Sequence, residues 1–466
     1  MKTRIEEDFI GKVEVPADAY YGIFTVRASK NFQISGKRPP RTFIRMLALV
    51  KKSAAEANVE TGVLPANIGD ALARAAEEVA KGKFDSEFIL DAYTAGAGTP
   101  FNMNMNEVLA NRAEEILGGK KGKYKLVHPN NHANMSQSSN DVIPAAIRLA
   151  LLAESEGLLK HANELALQLK KKSKEFSKVV KVGRTHLMDA VPLNVGDELS
   201  AFSSALEIDI ERICKARDSL REMNLGATAL GSGINTHPAY RRIVAKRVQA
   251  NTGIRVFPGR NMFRLTSQVS DFLHFSASLR GLAAIIHKLS NDLKLLSSGP
   301  NTAIGEYILP EVEPGSSIMP GKVNPSIPEC AEMVANRVFG NDASILFAAS
   351  GGQLQLNVQT PLILECASES VVLLSNACQM LSKHCISGLG IDRKRIVQHL
   401  ESSLISATAL APYFGYPKMS QLVKQAQSEG KTLKEVIVSH KLLTPSQYDR
   451  LMSPARLTRP SKKEKL

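Results

Sequence analysis

Hydrophobic residues recur at steps of three and four over most of the chain. One such series comprises Leu199, Phe202, Leu206, Ile210, Ile213 and Leu220. Its spacing predicts one buried face of an amphipathic α-helix. A longer series from Met262 to Leu296 contains one glycine and no proline, and it predicts a single helix of roughly 50 Å at ~1.5 Å per residue. The same spacing predicts helices over residues 45–57, 68–81, 334–349 and 361–389.

The pattern divides the chain into three parts. At 466 residues the chain exceeds the size of one ordinary hydrophobic core. Residues 1–136 mix short extended pieces with helices, residues 137–395 carry the long helical series, and residues 396–466 carry shorter ones. In the last part, Thr432 with Glu435 is typical of a capping box, and so is Thr444 with Gln447. We therefore expect a mainly all-α protein of three domains, in which residues 137–395 form a bundle of long helices.

The composition is that of an ordinary globular protein. Hydrophobic residues make up 44% of the chain and charged residues 22%, which is typical of soluble proteins. No uninterrupted apolar run reaches the ~18 residues that a membrane helix needs, and the N-terminus lacks the apolar core of a secretory signal. The five cysteines lie at no metal-ligand spacing, which favours reduced thiols. We expect a cytoplasmic protein that does not contact a membrane.

The net charge of +14 makes nucleic acid an alternative partner. The basic residues are scattered along the chain, however, and aromatic residues are few, with no tryptophan. Stacking platforms for bases are therefore not expected, and we predict no nucleic-acid binding. A basic surface would instead raise the local concentration of a small dianionic substrate.

Four polar or glycine-rich segments interrupt the helical pattern. They are residues 96–106, 134–141, 183–189 and 315–329. The last one differs from a phosphate-binding loop, because five residues separate Gly315 from Gly321 and because Val323 follows the lysine. It supplies two serines, an ammonium group and an amide, which suit a carboxylate ligand. No His, Cys, Asp or Glu set has metal-ligand spacing, so we expect no metal and no cofactor.

Several of these segments match one known family in order. Residues 315–324, GSSIMPGKVN, are similar to the mobile loop of the aspartase/fumarase superfamily. Further matches are PADAYYG at 16–22, GAGT at 96–99, QSSND at 137–141 and GRTH at 183–186. The resemblance implies a three-domain fold whose long central helices build the multi-helix core of a homotetramer. It also implies active sites shared among three subunits and a four-carbon dicarboxylate substrate that is converted to fumarate.

The resemblance implies a role for each motif residue. Ser316 would be the general base that removes the C3 proton, and Lys322 with Asn324 would hold the carboxylate of the resulting aci-carboxylate intermediate. Thr185 and His186 would face the other carboxylate, and Glu329 would pair with His186. The remaining substrate contacts would come from Thr99, Ser138, Ser139, Asn140 and Ser317.

The motifs do not decide whether the leaving group is ammonia or water. The segments NLGAT at 224–228 and GQLQLN at 352–357 resemble aspartases and favour ammonia, whereas Ser139 and His186 are found in class II fumarases, which release or add water. We favour an aspartate ammonia-lyase, with class II fumarate hydratase as the alternative and a non-catalytic relative or a nucleic-acid-binding helical protein as a distant one. Pro100 departs from the family pattern. The sequence HPNN at 128–131 also departs from it, because Asn131 stands where the second anion site of fumarases has an acid.

Overall fold

A computed structural model describes residues 2–403 and 405–459, so residues 460–466 of the predicted third domain lie outside the described ranges. The helices are Ile23–Asn31 (α1), Arg41–Glu60 (α2), Ala66–Ala80 (α3), Thr99–Ile116 (α4), Ser139–Glu175 (α5), Val195–Ser219 (α6), Tyr240–Thr252 (α7), Met262–Ser267 (α8), Ser270–Leu296 (α9), Ser326–Ser350 (α10), Thr360–Leu381 (α11), Arg393–Ser402 (α12), Ser406–Phe414 (α13), Tyr416–Glu429 (α14), Leu433–Ser439 (α15), Pro445–Leu451 (α16) and Pro454–Leu457 (α17).

The strands of the described residues form small two-stranded sheets. They are Thr3–Asp8 (β1), Gly11–Pro16 (β2), Val180–Thr185 (β3), Met188–Asn194 (β4), Glu222–Met223 (β5), Phe257–Pro258 (β6), Tyr307–Ile308 (β7) and Gly390–Ile391 (β8). β5 pairs with β6 in parallel, whereas β1–β2, β3–β4 and β7–β8 are antiparallel. The predicted mainly α-helical fold class is confirmed.

The long helices follow the predicted hydrophobic faces. In α6 the side chains of Leu199, Leu206, Ile210 and Ile213 are buried, while the intervening polar positions are mostly exposed. The predicted capping boxes at Thr432 and Thr444 are both formed. The 37 residues of α5 span about 55 Å at the usual rise per residue. Local periodicity and capping chemistry therefore predicted α2, α3, α6, α10, α11 and the starts of α15 and α16, whereas the 37-residue α5 was not predicted as a helix of its own.

The helix predicted from Met262 to Leu296 is in fact broken. Gln268 is extended (φ −117°, ψ 137°) and separates α8 from α9. The hydroxyls of Thr266 and Ser267 donate to the carbonyls of Met262 and Phe263, four residues earlier, a local bond that weakens or bends helices. The prediction of one continuous helix was wrong, because the polar residues here compete for the backbone while the hydrophobic period continues.

The chain forms two compact units, and each of them is built from three separate segments of the sequence. Unit 1 comprises Met1–Leu159, Glu211–Ala283 and Ala335–Ser375, and unit 2 comprises Lys160–Ile210, Ala284–Val334 and Asn376–Leu466. Within unit 1, α2 packs against α3 and α7, and α3 packs against α4. Within unit 2, the β3–β4 hairpin contacts α12 and α17.

The helices α13 to α16 of unit 2 have a hydrophobic cluster of their own. Its buried members are Leu410, Met419, Leu422, Ala426, Leu433, Val436, Ile437, Leu443, Tyr448 and Leu451. Short amphipathic helices of this kind are stable only when they share a core.

One helical stretch among the described residues, Thr360–Ile386, is long and apolar enough to cross a membrane. Of its apolar window, 72% is buried inside the protein, which is the behaviour of a core helix.

A buried ion pair joins α5 to the start of α9 in unit 1. Arg148 is fully buried and donates from Nη2 and Nε to Asp271 Oδ2 at 2.6 and 3.2 Å. The Asp271→Asn variant is expected to lower the free energy of unfolding by about 3 kcal/mol, because it leaves a buried guanidinium without a counter-charge. Urea unfolding of the full-length protein at fixed concentration measures this difference.

Two further variants control this prediction. Asp292→Asn breaks the more exposed pair with Lys288 and is expected to cost less than about 1 kcal/mol. The double variant Arg148→Met with Asp271→Leu removes both buried charges and is expected to be more stable than Asp271→Asn alone. A double variant no more stable than the single one would contradict the assigned cause.

Candidate active site

The segment 315–324 of unit 2 is an irregular loop that is closed at its base. Gly315 N donates to Lys322 O at 2.8 Å, and Asn324 Nδ2 donates to Gly315 O at 2.7 Å. A Cβ atom at position 315 would lie 2.6 Å from Asn324 N and 2.8 Å from Lys322 O. The close approach of the two loop ends therefore requires glycine there. The side chains of Ser317 and Lys322 are exposed.

The hydroxyl of Ser316 is oriented by the backbone of its own loop. Its Oγ accepts hydrogen bonds from Ile318 N at 3.2 Å and Met319 N at 3.0 Å. Two N–H dipoles directed at one oxygen favour its deprotonated form, and an alkoxide is the form in which serine acts as a base. Ser316 is half-buried, so a substrate can still reach it.

Thr185 and His186 lie at the tip of the β3–β4 hairpin in unit 2. We expected an irregular segment at 183–189, but β3 continues through Thr185, which pairs with Met188. The two turn residues, His186 and Leu187, both have positive φ (55° and 60°), as in the type I′ turn that usually carries Asn-Gly. A non-glycine pair in this conformation is strained, and the turn leaves Thr185 and His186 exposed.

Ser138, Ser139 and Asn140 lie at the beginning of α5 in unit 1. Asp141 fixes this segment, because its carboxylate accepts from Ser138 N at 2.9 Å. The other carboxylate oxygen accepts from Gly226 N at 3.1 Å and Thr228 N at 2.9 Å. The segment 224–228 is therefore held against the start of α5.

Proline supplies a second link between these two segments. Pro144 has no N–H to donate to the carbonyl of Asn140, four residues earlier. Asn224 Nδ2 donates to this carbonyl instead, at 3.0 Å, and Asn140 Nδ2 donates to Ala229 O at 2.9 Å. The role of Asn224 was not predicted from the sequence, because neither the helix α5 nor the effect of Pro144 on the Asn140 carbonyl was foreseen.

Thr99 begins α4, so the irregular part of the segment 96–106 is shorter than expected. Only residues 96–98 form a 3₁₀ turn, and the Thr99 hydroxyl donates to Gly96 O at 2.7 Å. Pro100 takes an ordinary place in the first turn of the helix. Asn102 Nδ2 donates to the buried Ser139 Oγ at 3.0 Å, which joins the two predicted substrate-binding segments of unit 1.

A buried lysine that the sequence analysis missed lies below these segments. Lys51 Nζ donates to Asn134 Oδ1 at 3.2 Å, and burial lowers its pKa to about 7. Burial also raises the pKa of Asp141 to about 7, against the opposing effects of its N–H donors and of the Lys51 charge. The sequence signal was a lysine in α2 whose neighbours three and four residues away are all apolar, namely Leu47, Ala48, Ala54 and Ala55.

The remaining predicted residues are placed as follows. Glu329 is exposed in the first turn of α10, and no hydrogen bond within the described chain joins it to His186, so their pairing stays a prediction. His128 Nδ1 accepts from Asn130 N and Asn131 N and caps the π turn at Pro129–Ala133. The described residues contain no group of three or more His, Cys, Asp or Glu side chains able to hold a metal.

The predicted site residues of one chain fall into two groups. Unit 1 contains Thr99, Ser138, Ser139 and Asn140. Unit 2 contains Thr185, His186, Ser316, Ser317, Lys322, Asn324 and Glu329. Within the first group, Asn102 connects Thr99's helix to Ser139. Within the second, the Ser316 loop and the β3–β4 hairpin are separate elements.

The contacts of Asp141 yield a test of the unit 1 group. In Asp141→Asn the amide NH₂ faces at least one N–H donor and cannot accept from it, so the Ser138 segment is expected to shift. We expect a loss of about 2 kcal/mol in the free energy of unfolding and a raised KM, measured by chemical unfolding and by steady-state kinetics. Asp392→Asn is the matched control, because Asp392 caps α12 by accepting from Arg395 N and asparagine caps equally well. An unchanged KM in Asp141→Asn would contradict the role of this carboxylate.

Comparison with known proteins identifies the family of this chain. A family model described as lyase matches residues 11–340, and one described as fumarase C C-terminus matches residues 407–459. The chain belongs to the aspartase/fumarase superfamily of lyases, as the motifs predicted. It is similar to an aspartate ammonia-lyase of Pseudomonas aeruginosa, with 44% identity over 98% of this chain and 97% of the relative. An aspartate ammonia-lyase of Bacillus subtilis is 41% identical over 98% and 96%.

Fumarases are also among the similar proteins. A class II fumarate hydratase of Nitrosomonas europaea is 44% identical over 98% of this chain and 99% of the relative. The crystal structure of a class II fumarase from Schistosoma mansoni matches with a TM-score of 0.95 and 35% identity, over 99% of this chain and 100% of that one. A fumarate lyase:delta crystallin from Brucella melitensis, solved with cobalt, matches with a TM-score of 0.95 and 41% identity, over 98% and 100%.

Proposed function

We propose that this protein is an aspartate ammonia-lyase that converts L-aspartate to fumarate and ammonia. The observation that carries the proposal is the Ser316 hydroxyl, which accepts two backbone N–H bonds inside the 315–324 loop. This arrangement suits a base that must remove a weakly acidic proton next to a carboxylate. Relatives that carry the name aspartate ammonia-lyase support ammonia as the leaving group.

The first step is proton transfer from C3 of the substrate to the Ser316 alkoxide. The electron pair of the C–H bond moves into the neighbouring carboxylate and forms an aci-carboxylate with two negative charges. Lys322 and Asn324 hold this carboxylate, and the ammonium group of Lys322 stabilises the added charge. Ser317 contributes a further hydroxyl to the substrate from the same loop.

The second step breaks the C2–N bond. The electron pair of the aci-carboxylate returns to form the C2–C3 double bond, and the ammonium nitrogen leaves as ammonia with the electrons of the C–N bond. Thr185 and His186 bind the other carboxylate, and Glu329 pairs with His186. Thr99, Ser138, Ser139 and Asn140 bind the rest of the substrate. The residues of this chain carry every step without a cofactor or a metal.

The enzyme is a homotetramer with active sites built from three subunits. Membership of the aspartase/fumarase superfamily supports this. Large apolar side chains on the long helices that are exposed in a single chain also support it, because such residues usually mark an interface. They are Leu167, Ile208, Met333, Leu346, Phe347 and Val372.

Subunit mixing tests the shared sites. Ser316→Ala and Asn140→Ala are each expected to lose most of the activity, but co-expression of the two variants is expected to restore part of it, since some sites would then receive both native residues from different subunits. Light scattering gives the mass of the assembly. A monomer, or mixed assemblies without any activity, would contradict the shared site.

Class II fumarate hydratase is the second candidate, and two observations favour it. Ser139 and His186 are residues found in fumarases, and the Nitrosomonas europaea relative carries that name. The ultraviolet absorbance of fumarate separates the candidates when purified protein receives L-aspartate in one reaction and L-malate in the other. Fumarate from aspartate alone supports the ammonia-lyase, and fumarate from malate alone would overturn it in favour of the hydratase.

We further propose that the enzyme works in the cytoplasm, and that it has three domains at residues 1–136, 137–395 and 396–466.

We also propose that the enzyme has no nucleic-acid partner. The absence of tryptophan and the scattered basic residues argue against one.

A further inference from the structure

A fully buried carboxylate in unit 2 binds three basic side chains. Glu306 Oε1 accepts from Arg184 Nη2 at 2.8 Å and from His399 Nδ1 at 2.9 Å. Its Oε2 lies 3.2 Å from Lys181 Nζ. Burial alone would raise the pKa of Glu306, but Arg184, Lys181 and His399 outweigh that effect and lower it. The carboxylate is therefore ionised, and it connects groups from separate elements.

The main chain of Glu306 is fixed as firmly as its side chain. Glu306 N donates to Leu296 O at 2.8 Å, at the end of α9, and Glu306 O accepts from Asp392 N at 2.9 Å, at the start of α12. The residue directly precedes β7, which pairs with β8. Because both backbone groups of Glu306 are hydrogen-bonded, its carboxylate is held in a fixed position for the basic groups that bind it.

The basic partners belong to the elements around the hairpin tip. Lys181 and Arg184 lie on β3, and Arg184 directly precedes Thr185 and His186. His399 lies on α12, and its Nδ1–H donates to the same carboxylate oxygen as Arg184. The hairpin has a register shift between Val182 and Arg184, after which Arg184 pairs with Asp189 and Thr185 with Met188, so Arg184 is the first paired residue between the shift and the tip.

We propose that Glu306 is a positioning residue for substrate binding. It holds Arg184, and through Arg184 it sets the position of Thr185 and His186. His399 orients the Glu306 carboxylate from α12. The inference rests on the proposed function, in which Thr185 and His186 bind a substrate carboxylate. Stability alone does not account for this cluster, since buried ion pairs generally add little over apolar residues of the same size.

Kinetics of the full-length Glu306→Gln variant test the proposal. Thr185 and His186 bind the carboxylate that takes no part in the chemistry, so their contacts are equal in the ground state and the transition state. Displacing them is expected to raise KM for L-aspartate about tenfold and to leave kcat within about threefold of wild type. A merely structural role would instead lower the melting temperature and the fraction of active enzyme, and would leave KM unchanged.

Glu198→Gln is the matched control. Glu198 also contacts Lys181 Nζ, at 3.2 Å, and accepts a hydrogen bond from the Tyr307 hydroxyl, but it binds neither Arg184 nor His399. Its substitution removes the same charge from the same neighbourhood, and KM is expected to stay within about twofold of wild type. A KM raised equally in both variants would overturn the specific role of Glu306.

Two variants at position 399 test whether the N–H donor of His399 is needed for substrate binding. His399→Asn keeps an N–H donor near the Nδ1 position and is expected to retain the wild-type KM, whereas His399→Leu removes the donor and is expected to raise KM about threefold. Equal KM values in the two variants would overturn the part assigned to His399.

The remaining outcomes are also decisive. If Glu306→Gln does not fold, Arg184→Lys is measured, because it keeps the charge but loses the guanidinium geometry, and it is expected to show the same rise in KM. An unchanged KM in a folded Glu306→Gln or Arg184→Lys enzyme overturns the inference. Wild-type enzyme that forms no fumarate from L-aspartate overturns the proposed function instead. If only L-malate gives fumarate, the same variants test the inference with malate.

Discussion

Ser316→Ala enzyme is expected to fold normally and to form fumarate about 10⁴-fold more slowly than wild type, the range found when a general base is removed. Among residues 2–403 and 405–459, the Ser316 side chain forms hydrogen bonds only through its Oγ, which accepts from Ile318 N and Met319 N. Both of these residues are exposed, so water can replace the lost acceptor. The loop closure between Gly315, Lys322 and Asn324 does not involve the hydroxyl and stays intact.

The measurement is kcat from the ultraviolet absorbance of fumarate, together with the melting temperature. Ser317→Ala is the neighbouring control, since it removes an exposed hydroxyl from the same loop and is expected to affect KM more than kcat. A Ser316→Ala enzyme with a near-normal rate would exclude Ser316 as the base. An equal loss of kcat in both variants would indicate that the loop as a whole, and not one hydroxyl, carries the effect.

Lys322→Met is expected to lower kcat/KM about 10³-fold, because the aci-carboxylate intermediate loses the only cation that the 315–324 loop provides. The Lys322 side chain is exposed, so stability is expected to change by no more than about 0.5 kcal/mol. Lys322→Arg keeps the charge on a longer, planar group and is expected to retain more activity than Lys322→Met, yet less than wild type.

The control for Lys322→Met must remove one positive charge elsewhere, because a protein of net charge +14 attracts a dianion over its whole surface. Lys418→Met does so at an exposed position of α14. Steady-state kinetics at two salt concentrations separate the general attraction, which salt screens, from the local effect. Equal losses in the two variants would contradict a specific role for Lys322.

The sequence by itself determined the helical class, the positions of several helices and the family. The buried face of α6 follows from the three- and four-residue spacing of its apolar residues, and the starts of α15 and α16 follow from their capping boxes. These features depend on residues a few positions apart, so a local pattern records them. The 315–324 motif likewise predicted an irregular loop and the family, to which the chain belongs.

Only the tertiary structure decided how the polar residues are paired. Local periodicity did not predict the break at Gln268, where hydroxyl groups compete for helix carbonyls. It also did not connect Asn140 with Asn224, or Glu306 with Arg184, because 84 and 122 residues separate these pairs in sequence. A buried polar group must find a partner wherever the fold brings one near. Its partner is therefore set by packing of the whole chain, and a pattern of neighbouring residues does not contain it.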